Sequence, residues 1–207
     1  MIDAEKLEIF RRAGAATVHE AYGRKGDLAP GLRAMTGGIC IAGTAFTAVC
    51  ERGDNLAIHR AVAEAGSDDV LVVCGHGELV GYLGDILAEA ALSRGIAGAV
   101  IDGGCRDIAE LRRMRFPVWA RDLAIRGATK IRPGSLSKPI WVGSVGVAPG
   151  DLVVADDDGV CVVSATDVDR VLEATLSRLA QEEIIREKLR DGHLTLDLLN
   201  LRDHAAS

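Results

Sequence analysis

Three chemically active side chains fall within one six-residue segment, Asp102-Gly-Gly-Cys-Arg106-Asp107. Two carboxylates flanking a guanidinium can hold a divalent cation and neutralise an oxygen that becomes negative during a reaction. The two glycines between them let the backbone come close to a ligand. A plainer reading uses the same residues: Asp107 caps a helix over 108–114, and Arg106 pairs with Asp102 at the surface, aspartate being a favoured capping residue. Spacing alone leaves both open.

A second segment, Gly84-Asp85-Ile86-Leu87, stands at a predicted helix start, where free backbone N–H groups can receive a carboxylate. Aspartate there is equally a simple cap. Upstream, Gly75-His-Gly77-Glu-Leu-Val-Gly81 follows one strand and Asp102 ends the next, in outline a dinucleotide-binding pattern. Against that pattern stand the GxGxxxG spacing, a helix that begins only near Gly84, and the expectation of no further strand-helix-strand units downstream. His76 in this glycine loop can act as a base or ligand. His19, His59, His193 and His204 fall on presumed helix faces or in the tail and read as structural. The chain has no GxSxG, HExxH or GxxxxGK[ST] motif to anchor serine hydrolase, zincin or P-loop chemistry. Asp156-Asp-Asp-Gly159 is better explained as a hairpin turn than as a metal site.

Hydrophobic periodicity supplies the elements that must hold these residues. Asp3 to Tyr22 reads as two short helices broken near Gly14 and Gly23, and Gly38 to Cys50 as a buried strand. Gly53-Asp54-Asn55 makes a turn and a cap for a helix that starts at Leu56 and stops at Gly66. A strand over 69–74, a glycine-rich loop over 75–84, an alanine-rich helix over 85–94 and a strand over 96–101 follow. The two strands are then parallel neighbours, with the 75–84 and 102–107 loops side by side at their carboxyl ends. Beyond residue 115 come short strands (116–120, 140–145, 149–155 and 160–163). A long helix over about 167–190 closes the pattern, capped by Ser164 or Thr166.

The composition fits one α/β domain over residues 1–207: 48% hydrophobic, 3% aromatic and 24 glycines in 207 residues. A net charge of −6, with arginines concentrated only between Arg106 and Arg132, argues against nucleic-acid binding. Five cysteines with no CxxC or Cys/His spacing read as reduced core residues, Cys105 alone lying in a suspicious loop. No leader is recognised at the start, and no apolar run approaches the roughly 20 residues that span a bilayer. The expectation is a cytoplasmic protein that does not engage a membrane.

Taken in order, Gly53-Asp-Asn55, Gly84-Asp-Ile-Leu87, Ile101-Asp-Gly-Gly-Cys-Arg-Asp107, Phe116-Pro-Val118, Pro149-Gly-Asp151 and Asp157-Asp-Gly159 resemble the RraA-like family. Within that family the chain resembles the class II pyruvate aldolases that cleave 4-hydroxy-4-methyl-2-oxoglutarate and 4-carboxy-4-hydroxy-2-oxoadipate. The likeness runs from about residue 5 to 203. The stretch from Glu182 to Arg202, with Gly192-His-Leu-Thr-Leu-Asp197, is similar to the aldolase tail that the shorter regulator branch lacks.

The resemblance implies a swivelling β/β/α layered fold with a helical tail over about 165–207. It implies a homotrimer or hexamer with active sites between subunits. It implies that Gly84, Asp85, Ile86 and Leu87 hold the substrate carboxylate, Arg106 the keto or enolate oxygen, and Asp107 a Mg²⁺ or Mn²⁺ ion. Asp102 would orient a water at that metal, and Glu182 or Glu183 of a neighbouring subunit would complete the outer shell. The implied substrate is a branched 2-oxo diacid, with oxaloacetate decarboxylation as a side activity. The alternative is a non-catalytic regulator that binds a ribonuclease or another protein. Gly103-Gly104-Cys105 departs from the small run expected there, which predicts a looser loop and a thiol beside the metal.

Overall fold

The computed structural model describes residues 2–28 and 31–202. In chain order it holds α1 (Ala4–Ala21), β1 (Arg33–Ala34), β2 (Ile41–Val49), α2 (Leu56–Glu64), β3 (Asp69–Cys74), β4 (Gly81–Leu83), α3 (Asp85–Ser93), β5 (Gly98–Cys105) and α4 (Ile108–Met114). After these come β6 (Val118–Leu123), β7 (Ser135–Leu136), β8 (Ile140–Val142), β9 (Val145–Val147), β10 (Leu152–Asp156), β11 (Gly159–Val163), α5 (Val168–Arg190) and α6 (Thr195–Leu198).

Nine strands form one sheet, ordered β1-β6-β5-β3-β2-β10-β11, with β4 beside β5 and β7 beside β2. β2, β3, β5 and β6 run parallel, linked through α2, α3 and α4. The β5-α4-β6 link is a further strand-helix-strand unit that the sequence pattern missed, because β6 is short and follows a seven-residue helix. β10 and β11 complete the sheet as an antiparallel hairpin, with Asp156 opposite Gly159 as the turn chemistry predicts.

Alternation along each strand divides the core. One face carries Leu71, Val73, Ala99, Ile101 and Val118 against α2, α3 and α4. On that same face Ala42, Leu152, Val154, Cys161 and Val163 pack against α1 and α5. The other face carries Val70, Val72, Val100, Trp119, Val153 and Val162 against a small second layer containing Ile140, Val142 and Val147 of β8 and β9. These layers make the expected β/β/α arrangement.

The sheet curls strongly. Trp119 on β6 donates from Nε1 to the carbonyl of Asp156 on β10 at 2.7 Å. In a flat sheet these strands, four steps apart, would be separated by about 19 Å, beyond the reach of one indole. The chain segment beginning at Gly26 bonds β11 and ends in β1 on β6, so one covalent stretch ties the two outer strands and leaves the sheet nearly closed.

Several local expectations change. α1 is broken at Gly14 (φ +80°), and the half that follows is capped by Asp156, whose Oδ2 accepts from the Ala15 amide at 2.8 Å. The residue before α5 is Asp167 rather than Ser164 or Thr166, and its side chain makes no capping bond. The tail is helical as far as Leu198, while residues 203–207, with His204, lie outside the described residues. No described helix is long and apolar enough to cross a membrane.

Replacing Trp119 with Phe leaves the Asp156 carbonyl without its donor inside the curl. The expected cost is about 1–3 kcal/mol. It should be read as a lower urea midpoint with an unchanged slope; an unchanged midpoint would mean that the bond does not hold the curl.

Candidate active site

The segment over 102–107 is not a loop throughout. β5 continues to Cys105, so its residues alternate between the two faces of the sheet. Asp102 therefore points away from the helices. It is 6% exposed and ion-paired with Arg121 of β6, and its carbonyl accepts from the amides of Gly75 and Gly77. Among the described residues Asp102 does not make the pair with Arg106 that the plainer reading used, and it is not one of the residues lining the cleft with Arg106.

Gly103 and Gly104 are not slack. A Cβ at 103 would meet the Tyr82 ring at 2.9 Å, and one at 104 the Val80 carbonyl at 2.7 Å, so glycine is required for the 78–83 segment to lie this close. Cys105 is fully buried on the helical face. Burial pushes its thiol up to about 12, reinforced by Asp122 and Asp107, so it stays protonated and is no partner for a cation.

Beyond Cys105 the strand ends and Arg106 and Asp107 emerge. Asp107 adopts a left-handed conformation (φ 59°, ψ 37°), uncommon for a residue with a side chain. Although it precedes α4, it does not cap that helix with its side chain. Its Oδ2 instead accepts from the Asp85 amide at the start of α3, at 3.3 Å, and lies 3.3 Å from Arg106 Nε. Gly84 makes room for this, since a Cβ there would fall 2.2 Å from Oδ2. Arg106 runs past three glycines: added Cβ atoms at Gly81, Gly84 and Gly127 would come within 2.9–3.2 Å of its side chain.

Gly84 to Leu87 and Arg106 line a cleft of about 180 Å³ together with Asn55, His59 and Lys130. Asp107 is not itself in the lining but touches Arg106 and Asp85, which are, and its side chain is about one-third exposed. One wall is cationic, from Arg106, Lys130 and the amino end of α3. Asp107 lies directly beside Arg106 and that helix end, of which Asp85 is the first residue, so positive and acidic groups adjoin. A small ligand bearing a carboxylate and a second polarised oxygen fits such an arrangement, with a cation between ligand and acid.

Asn55, His59, Lys130 and Arg121 are site or support residues that sequence reasoning missed. Asn55 is not a side-chain cap; its Nδ2 donates to the Tyr82 carbonyl at 2.7 Å. His59 lies four residues on and shares its face of the helix, a spacing that carried the available signal. Burial, then nearby Lys130, lowers its pKa, so the imidazole is neutral. His76 stands apart from the cleft: left-handed at φ 57°, it bonds the Cys50 carbonyl through Nε2 and has Cys74 Sγ 3.8 Å from Nδ1. Glu182 and Glu183 lie on α5, paired with arginines of the same helix.

Asp54 holds Asn55 and Lys130 in register. Its carboxylate has no exposure and accepts from Thr129 Oγ1 (2.7 Å) and the amides of Ile131 (2.7 Å), Arg132 (3.2 Å) and Leu56 (3.0 Å). Burial alone would raise its pKa. The four hydrogen bonds outweigh burial and hold the carboxyl far below the ordinary carboxylate range.

Residues 15–162 match the model of a family described as RraA-like, Aldolase/RraA. A Halalkalibacterium halodurans protein provisionally named a 4-hydroxy-4-methyl-2-oxoglutarate aldolase is 30% identical over 188 residues, 90% of each chain. Among solved structures, an uncharacterized protein from Pseudomonas syringae pv. tomato superposes with a TM-score of 0.85 at 26% identity, over 93% of this chain and 96% of that one. Streptomyces coelicolor RraAS2, described as an unusual member of the RNase ES inhibitor RraA protein family, gives a TM-score of 0.80 at 30% identity, over 91% and 100%.

A carboxyl whose folded pKa is depressed contributes stability above the unfolded value, near 4, and loses it as the pH falls from there toward the folded value. Asp54→Asn should therefore lower the urea midpoint at pH 7 and flatten its fall between pH 4 and pH 2. Parallel pH profiles for the variant and the wild type would show that Asp54 is not the titrating clamp.

Proposed function

The chain belongs to the RraA-like family, and on that premise we propose that it is a divalent-metal-dependent lyase, a class II pyruvate aldolase acting on a branched 4-hydroxy-2-oxo diacid. The observation that carries this reading is the contact of the Asp107 carboxylate with both Arg106 and the amino end of α3, which together line one small cleft. The H. halodurans relative's name supports it from outside the chain.

The donor set fits a hard cation. Among the described residues no group of three or more His, Cys, Asp or Glu can hold a metal, so a closed transition-metal cage is not the model. Asp107 offers one carboxylate whose two contacts both fall on Oδ2, and Asp85 lies beside it. Mg²⁺ or Mn²⁺, which accept one carboxylate and fill the remaining positions with water and substrate oxygens, suit that arrangement. When bound, the cation would neutralise the carboxylate and keto oxygen of the substrate's pyruvate half.

In the reaction the 4-hydroxyl gives its proton to water and becomes a carbonyl, the C3–C4 bond breaks, and the electron pair passes into a pyruvate enolate that takes a proton from water at C3. The amino end of α3, over Gly84 to Leu87, receives the carboxylate, the Asp85 amide being already held by Asp107 Oδ2. Arg106 faces the oxygen that was neutral in the substrate and is negative in the enolate, the place where a fixed positive charge lowers the barrier most. No lysine imine is needed. Oxaloacetate reaches the same enolate when its C3–C4 bond breaks with loss of CO₂, so decarboxylation is an expected side activity. Asp102 enters only as a strut through Arg121, and the second carboxylate at the site is Asp85.

The tail supports assembly. Past Thr175, α5 and α6 have no buried residue, and α5 exposes Leu176, Ile184 and Leu189 while Leu194 and Leu199 are exposed at the two ends of α6. This apolar surface suits packing against other copies, which would bring Glu182 or Glu183 toward a neighbour's cleft. A second reading, a non-catalytic regulator that binds another protein, is favoured by the similarity to RraAS2 over that whole chain.

The purified protein should release pyruvate from oxaloacetate and from 4-hydroxy-4-methyl-2-oxoglutarate with Mg²⁺, and release should stop with excess chelator. No metal-dependent pyruvate from either substrate would sink the aldolase reading and leave the regulator. Arg106→Ala should lower kcat about 10²–10³-fold. Asp107→Ala should abolish turnover while changing thermal stability by only about 1 kcal/mol, the cost of a lost cap; retained turnover would remove Asp107 from the metal.

A further inference from the structure

Buried polar atoms without a hydrogen-bond partner are rare in folded proteins, because burial strips their water. Among the described residues three side-chain atoms are of this kind: Asn55 Oδ1, His59 Nε2 and Arg178 Nε. The last lies 2.9 Å from Glu182 Oε1 and is served by that ion pair. The two that remain belong to residues lining the cleft.

Their chemistry restricts what completes them. Asn55 is 5% exposed, and its amide sense is fixed because Nδ2 donates to Tyr82. Oδ1 is therefore an acceptor, and a carboxylate or keto oxygen cannot satisfy it. A neutral imidazole has one N–H and one lone pair, and in its Nε2–H form His59 is a donor one helical turn from that acceptor. An acceptor and a donor on residues one helical turn apart that line the same cleft match a hydroxyl group, which gives one hydrogen bond and accepts another. The cationic wall and the amino end of α3 remain for the ligand's anionic oxygens.

Resting on the aldolase reading, we propose that Asn55 and His59 recognise the 4-hydroxyl of the substrate, its O–H donating to Asn55 Oδ1 and its oxygen accepting from His59 Nε2. The pair orients the hydroxyl in the bound substrate and does not take its proton, since an amide oxygen is no base; the proton turns from Asn55 to water before the C3–C4 bond breaks. It is a specificity device: a hydroxylated diacid completes both atoms, whereas oxaloacetate in its keto form has no hydroxyl to donate and leaves Asn55 Oδ1 unpaired.

The test compares two substrates on the intact protein with Mg²⁺, using His59→Leu, which removes the N–H, and His59→Gln, which keeps one near the same place. Asn55 is left alone because its bond to Tyr82 is structural. For His59→Leu the ratio of kcat/KM for 4-hydroxy-4-methyl-2-oxoglutarate to that for oxaloacetate should fall about tenfold, mainly through KM for the hydroxy acid, and His59→Gln should restore most of it. Equal losses on both substrates would make His59 a general structural part of the cleft. No loss on either would mean that a buried water alone completes these atoms; each of these results overturns the proposal. If the wild type releases pyruvate from neither substrate, the aldolase reading itself has failed, a result distinct from an unchanged ratio in an active enzyme.

Discussion

A carboxylate with no exposure can remain charged only if hydrogen-bond donors surround it, and Asp54 imposes that demand on the region around the cleft. Its four donors come from two places far apart in the chain: Leu56 at the start of α2 and the 129–132 segment. Meeting the demand fixes the first turn of α2, and with it Asn55 and His59. It also fixes the stretch that carries Lys130. The part of the cleft lined by Asn55, His59 and Lys130 is thus built around one buried charge rather than by apolar packing alone.

The remaining side rests on close approach rather than charge. β4 lies against β5 because Gly103 and Gly104 have no side chains, and the Asp107 carboxylate reaches the α3 amino end because Gly84 has none. The left-handed backbone at Asp107 is the turn that makes this reach possible. A carboxylate that would ordinarily cap the helix after it is presented to the helix before it, beside a guanidinium threaded past three glycines. Strained backbone of this kind is retained where surrounding structure determines it, and here it sets the geometry of the site.

The curled sheet brings these two sides to one edge. Parallel strands β2, β3, β5 and β6 place their following loops at a common end, where open α/β sheets bind ligands. The antiparallel β10–β11 hairpin and the Trp119 bond give the sheet its curvature. Curvature separates an enclosed inner face, which takes Asp102 and Arg121, from an outer helical face, at whose rim the cleft lies. Two acids five residues apart thereby serve different purposes, Asp102 inside the fold and Asp107 at the rim.

Much of this was legible in the amino-acid order. Hydrophobic periodicity marked α2, α3, β2, β3 and the β10–β11 hairpin, glycines marked the break in α1, and the two motifs around Gly84 and Arg106 marked one wall of the cleft. These features depend on local pattern, which a chain carries wherever it folds. What only the tertiary structure decided has a common cause. Gly103-Gly104 disfavours a strand by local preference, so the continuation of β5 to Cys105 depends on partners distant in sequence, and that continuation sends Asp102 to the inner face. His59 looked like an ordinary helix-face histidine until the 129–132 segment, bound to Asp54, placed Lys130 across from it. Patterning determines which residues form elements, whereas long-range contacts between those elements determine which side chains share a cleft.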